Sequence, residues 1–370
     1  MQRALRKYLI GRVVNLLVLA NGFVAQYRVL RCAAALGADV YVAGSEYARP
    51  LALSRYCKSF QPFSFELEDE SVAAAQLDAL AAQMQIDMIL PGDFQTTLYL
   101  ARIRGRLETD VFPMPDHDAL EQLGTKDRFM AYCTERGLRH PKGQVFASRD
   151  ALGGALVRGD IRLPAMAKPV NRAGSIGVVR LDASNASDIA AAVDYAPILV
   201  QDFIEGEDRS ITIFCRNGKV EKQVVYHHPN DVFQFVEEPG LTALATAIAQ
   251  DLNLDGVINF DARIDNDGNV WLIECNPRFY FNMDVAMVAG LNFADLANSS
   301  GRSIEDQTIR IPQALLRDLL KLELPTSSDL KMLGHWLRDP LMFALVALGY
   351  QRKWRAPWFE KVIAGHKSAA

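Results

Sequence analysis

The sequence predicts an α/β domain built on a doubly wound parallel sheet, followed by a β-rich region of hairpins and helices. Two observations carry that prediction. Short continuous apolar runs alternate with helical segments from Val13 to Gly92, as buried parallel strands joined by helical crossovers require. Beyond about Gln144 the pattern changes to paired strands with turn residues between them, the mark of antiparallel hairpins.

The elements follow in order. Val13–Ala20 reads as a buried first strand; a signal peptide is the less favoured reading, because Asn15 interrupts the run and a strand–helix–strand unit is completed afterwards. Asn21-Gly22 turns the chain, Val24–Leu36 reads as helix, and Gly37 stops it. Asp39–Gly44 is a second strand, Val72–Met84 a helix, and Met88–Gly92 a third strand. No GxGxxG follows the first strand, so a dinucleotide-binding unit is not expected. Asp118–Leu123 and Lys126–Arg136 read as short helices. Leu163–Pro169 and Gly177–Leu181 form a hairpin, and Ile198–Ile204 a strand. Ser210–Cys215 and Val220–Tyr226 pair across an Asn217-Gly218 tip. Leu241–Leu252 is a helix, and Val257–Ile264 pairs with Val270–Cys275.

Composition narrows the function class. The chain has 370 residues, 50% hydrophobic and 23% charged, with a net charge of −4. This is a globular composition without the basic excess of a nucleic-acid binder. The five cysteines are scattered and never form a CxxC pair. They read as reduced, packed thiols of a cytosolic protein. Residues 331–370 carry seven Lys/Arg against Asp339 and Glu360, and Pro340–Tyr350 is apolar nearly all round, flanked by Trp336, Trp354 and Trp358. Two readings stand for 336–358: a helix packed on the core, or a peripheral contact with a membrane surface or a partner.

Three constellations can carry chemistry. Lys168 ends a strand and leads into Arg172, Gly174, Ser175 and Gly177, either an anion-binding loop or an ordinary hairpin loop. Gln201-Asp202-Phe203-Ile204 runs off a strand toward Asp208. It suits a nucleobase edge and ribose hydroxyls, or simply ends in a solvated acidic turn. Asp261 lies on one strand of a hairpin, with Glu274 and Asn276 two residues apart on the other. These oxygens suit Mg²⁺, and Arg278 follows at once. Asp93, at a strand end, reads either as a turn residue or as part of a site. His227 and His228 point to opposite faces of a strand and carry no assigned role.

In this order the segments resemble the ATP-grasp superfamily, with a nucleotide-binding fold like that of the carbamoyl phosphate synthase large chain. The resemblance rests on Gly124-Thr125-Lys126-Asp127, Lys168 with its glycine loop, Gln201–Asp208, and Glu274-Cys275-Asn276-Pro277-Arg278. It implies a pre-ATP-grasp α/β domain at 1–123, two α+β lobes, the small one with linker helices at 124–204 and the large one with the metal site at 205–310, and a helical basic and apolar tail at 311–370. It implies that Lys126 and Lys168 contact phosphates under the loop of Arg172, Gly174, Ser175 and Gly177. Gln201, Asp202, Phe203 and Ile204 would frame adenine, and Asp208 would hold ribose. Asp261, Glu274 and Asn276 would bind Mg²⁺ or Mn²⁺, with Arg278 and Lys168 catalytic. Many members carry Glu where Gln201 and Asp208 stand. The implied reaction is ATP-dependent ligation of a small-molecule carboxylate to an amine, through an acyl phosphate, in a cytoplasmic enzyme that is a candidate homodimer and a candidate for peripheral contact with the inner face of a membrane. A bicarbonate-activating carboxylase is the alternative, disfavoured because Asn282 stands where that chemistry resembles a site with a glutamate. A non-catalytic ATP-binding regulator is a further alternative.

Overall fold

A computed structural model describes residues 13–66, 69–171, 177–280, 282–297, 304 and 306–347. It contains a four-stranded sheet in the order β3-β2-β1-β4, a six-stranded sheet in the order β13-β12-β9-β10-β11-β14, and a four-stranded sheet in the order β5-β8-β6-β7. Two compact units divide the described chain. One takes the residues up to His117, Ser210–Asn259, and Asn276 onward; the other takes Asp118–Arg209 and Phe260–Cys275.

The first unit opens with the parallel sheet of β1 (Asn15–Ala20), β2 (Asp39–Gly44), β3 (Cys57–Pro62) and β4 (Met88–Pro91). Why β1 is apolar without alternation is now visible. Leu16, Val18 and Ala20 enter one core cluster, and Leu17 and Leu19 enter another on the opposite face. Helix α1 (Val24–Ala34) belongs to the first cluster, while α2 (Glu70–Gln83) and α3 (Phe94–Ile103) belong to the second. Asp93 proves to be structural. It caps α3 through Thr96, accepts a hydrogen bond from the Asn21 amide at 3.1 Å, and is also bonded by Gln26. Strand β3 escaped the sequence reading because its Cys-Lys-Ser-Phe-Gln-Pro run is that of a half-exposed edge.

The antiparallel strands are β9 (Glu207–Arg216), β10 (Lys219–His227), β11 (Val232–Phe235), β12 (Gly256–Ile264), β13 (Val270–Asn276) and β14 (Thr308–Arg310). The predicted tip of the β9–β10 hairpin is as expected, with Asn217 and Gly218 both at positive φ. Helix α8 (Pro239–Asp251) packs on β10.

Helices α9 (Met283–Ala289), α10 (Pro312–Leu319), α11 (Ser327–Leu337) and α12 (Pro340–Ala347) complete the described part of this unit. They decide part of the question left by the tail. Trp336 is 1% exposed, and Met342 and Val346 are also buried, so one side of 336–347 packs on the core. Trp336 is held by the Arg28 and Arg31 guanidiniums, 4.5 and 4.4 Å from its ring centre, and by an edge contact with Tyr27. Trp354 and Trp358 lie outside the described residues. Asp284 on α9 is fully buried and receives two bonds from Arg28, at 2.7 and 2.6 Å, with Arg31 at 3.4 Å. Four of the five cysteines, Cys32, Cys133, Cys215 and Cys275, are buried.

The second unit holds α4 (His117–Leu123), α5 (Lys126–Glu135), β5 (Gly143–Phe146), α6 (Arg149–Arg158), β6 (Ala165–Pro169), β7 (Val179–Leu181), α7 (Ala186–Ala192) and β8 (Ile198–Asp202). Its antiparallel sheet has two chemically distinct faces. Phe146, Ala165, Ala167, Leu181, Ile198 and Val200 face a core closed by Leu152 and Ala155 of α6 and Ala186 and Ala190 of α7. Alternation puts Met166, Lys168, Leu199 and Gln201 on the other face.

Candidate active site

The site is built from that second face. β6 and β8 pair so that Lys168 lies opposite Leu199, and Met166 opposite Gln201. Opposed residues of an antiparallel pair share a face, so Lys168 and Gln201 stand two residues apart on one surface. Gly143 of β5 lies opposite Gln201; a Cβ there would meet the Gln201 Cγ at 2.5 Å. Only glycine admits β5 so close to that side chain.

Lys126 begins α5. Its amide donates to the Val170 carbonyl at 3.1 Å, which ties the helix start to the end of β6, and its Nζ donates to the Glu274 Oε1 at 3.1 Å. Both Lys126 and Lys168 are buried. Burial lowers the Lys168 amine to about 8; Glu274 and Asp261 oppose that shift, and Lys126 reinforces it. Two ammoniums and two carboxylates therefore occupy one electrostatic neighbourhood. The sequence separates Lys126 from Glu274 by 148 positions. The tip of the β12–β13 hairpin is locked by Asp265, whose side chain accepts from Asn269 and from the Trp271 indole at 2.8 Å.

Gln201 donates to the Pro141 carbonyl at 3.2 Å, while its Oε1 is buried with no hydrogen-bond partner among the described residues. A buried acceptor left open in this way costs about 1–3 kcal/mol unless a ligand supplies a donor. Beyond it, Asp202 donates to the Lys142 carbonyl and Phe203 to the Pro164 carbonyl, which fixes the path toward Ile204. The Arg180 and Arg263 guanidiniums lie 4.2 and 5.2 Å from the centre of the Phe203 ring. Neither arginine was singled out in the sequence, since no motif or spacing marks them. Asp208 is exposed and pairs with Arg263 at 3.5 Å. Of the glycine loop, Arg172, Gly174 and Ser175 lie outside the described residues. Gly177 is at φ +80, and its carbonyl accepts from the Tyr195 hydroxyl at 2.6 Å.

At the end of β13, Arg278 folds back. Its guanidinium donates to the Asn276 Oδ1 at 2.7 Å and to the Phe279 carbonyl at 3.1 Å. Glu274 and Asn276 share a face of β13 by alternation. Asp261, Glu274 and Asn276 offer oxygen donors only. Among the described residues no group of three or more His, Cys, Asp and Glu could hold a metal ion. Two carboxylates and an amide fit Mg²⁺, which takes few protein carboxylates and completes its shell with water and phosphate oxygens.

Comparisons with known proteins bear on the fold. A family described as "ATP-grasp in the biosynthetic pathway with Ter operon" matches residues 194–316. The arginine-specific carbamoyl phosphate synthase large chain of Bacillus subtilis is 26% identical over 210 residues, 50% of this chain but only 20% of that protein. The L-amino acid ligase of Bacillus licheniformis superposes with a TM-score of 0.56 at 17% identity, covering 76% of this chain and 72% of that one. The ATP complex of carboxyaminoimidazole ribonucleotide synthase from Aspergillus clavatus superposes with a TM-score of 0.57 at 16% identity, covering 85% and 79%. The fold is the ATP-grasp fold, and the segment 194–316 is similar to an ATP-grasp family.

Proposed function

We propose that this protein is an ATP-dependent ligase that joins a small carboxylic acid to an amine. The observation that carries the reading is the cluster of Lys126, Lys168, Asp261 and Glu274, on the sheet face where Gln201 leaves a buried acceptor open. In this reading Lys126 and Lys168 bind the ATP phosphates, and the Gln201 Oε1 accepts from the adenine amino group. A substrate carboxylate oxygen attacks the γ-phosphorus, the bond to ADP breaks, and an acyl phosphate forms. The amine then attacks the acyl carbon and expels phosphate, and its proton passes to solvent. Mg²⁺, held by Asp261, Glu274 and Asn276, would supply charge neutralisation on the phosphoryl oxygens. Arg278 would neutralise the transferred phosphoryl once it turns from Asn276.

Lys168 provides a test that separates phosphate binding from folding. Its pKa of about 8 makes ATP affinity fall as pH rises through 8, because an anionic ligand prefers the ammonium. Lys168→Met should weaken ATP binding by roughly ten- to a hundredfold, the worth of a charged hydrogen bond, and remove that pH dependence. Calorimetric titration of ATP on either side of pH 8 reads both effects. A variant that keeps the parent's affinity and pH profile would remove Lys168 from the phosphate site. In the ligand-free protein the sign for stability is opposite. Between about 8 and the ordinary 10.5 the unfolded chain holds more protons, so stability rises with pH across that window.

A further inference from the structure

The first unit carries a surface that inverts the usual rule for exposed turns. In the segment from Leu316 to Leu324, five leucines are exposed; Leu320, Leu322 and Leu324 are 81%, 89% and 83% exposed. Of the polar groups of the same segment, Asp318 turns inward. Arg310, itself buried, binds the Leu324 carbonyl at 2.8 Å and pairs with Asp318 at 3.6 Å, Glu323 at 3.5 Å and Asp329 at 2.9 Å. Asp318 and Asp329 are buried, whereas Lys321, Lys331 and Arg338 are exposed.

The backbone singles out one of these leucines. Glu323 donates to the Asp318 carbonyl and Leu322 to the Leu319 carbonyl, the bond pattern that closes a helix on a left-handed residue. That residue is Leu322, at φ +66, where glycine is the usual occupant. A leucine there is strained and almost fully exposed, so nothing in the fold of this unit accounts for it.

We propose that the 316–324 turn is a docking apex for an anionic lipid surface. Side chains exposed this fully form a convex projection. A bilayer interface accepts a projection without a pre-shaped pocket, and buries it for the hydrophobic gain. The exposed Lys321 and Lys331 complement anionic headgroups, while the buried Asp318 and Asp329 pair with Arg310. No helix among the described residues is long and apolar enough to cross a membrane, so the contact is peripheral.

The test is co-sedimentation of the full chain with vesicles of phosphatidylcholine, with and without phosphatidylglycerol. The full chain should pellet with phosphatidylglycerol vesicles at low salt and leave them as salt rises. Leu322→Gly suits the left-handed backbone and should keep or raise thermal stability. Combined with Leu320→Ser, it should weaken vesicle binding about tenfold or more. Three results would overturn the proposal. One is no pelleting with either vesicle. Another is pelleting that persists unchanged in the double variant, which places the contact elsewhere in the chain. The last is self-association that the double variant abolishes without any vesicle binding, which makes a second copy the occupant.

Discussion

Glu274→Gln is expected to reduce ATP-dependent ADP release by at least about a hundredfold while leaving the fold intact. The amide keeps the size of the side chain and an oxygen that can still accept from Lys126, now at 3.1 Å from the carboxylate. The charge is lost, and with it one of two carboxylates proposed to hold Mg²⁺. Burial already lowers the Lys168 amine, and Glu274 is the first of the charges that oppose it. Its removal drives Lys168 further toward the neutral form, so phosphate binding and metal binding fail together. Asp261→Asn should act in the same direction. Coupled-enzyme detection of ADP, with circular dichroism as the fold control, gives the answer. Near-parental rates in both variants would refute the metal assignment.

The largest effect on stability is expected at Asp284, far in sequence from the α1 arginines it serves. Its carboxylate is fully buried between Arg28 and Arg31. Burial pushes the carboxyl up, but the two guanidiniums outweigh it and hold it below its ordinary value. Asp284→Asn removes the carboxylate that pairs with both buried guanidiniums. Breaking a buried pair from one side costs about 3–5 kcal/mol. His335, 3.8 Å away and kept neutral by burial, cannot take over the role of an anion. Urea denaturation measures the loss, and a change below about 1 kcal/mol would mean that water reaches the cluster and screens it. Because Asp284 joins α9 to α1, the same variant should loosen the packing of Trp336, visible as a change in tryptophan fluorescence.

Much of the fold was legible because its signals are local. The parallel strands announced themselves as apolar runs, since β1 is buried on both faces. The Asn217-Gly218 tip and the Asp265–Gly268 turn marked two hairpins. Elements that lack a local signal were missed. Helix α6 contains Gly153 and Gly154, which weaken any helical pattern, and β11 and β14 are only four and three residues long. The tail showed the limit of composition: Trp336 beside a basic, apolar stretch reads equally as an interfacial anchor or as core. Only the long-range stacking on Arg28 and Arg31 decides for the core. The candidate site was legible as residue types at strand ends. What the sequence could not supply is the pairing of Lys126 with Glu274, the open Gln201 acceptor, and the two arginines against Phe203. Each depends on contacts between distant segments.

The central claim is that ATP is spent on a carboxylate. Amino acids and small acids labelled with ¹⁸O in the carboxyl group should be incubated with the protein, ATP and Mg²⁺, and the released phosphate analysed by mass spectrometry. An acyl phosphate leaves its bridging oxygen on phosphate when the amine attacks. The account therefore predicts phosphate carrying one ¹⁸O from the acid that is consumed. Amide formed with unlabelled phosphate, or ATP bound without turnover across the whole set of acids and amines, would contradict it.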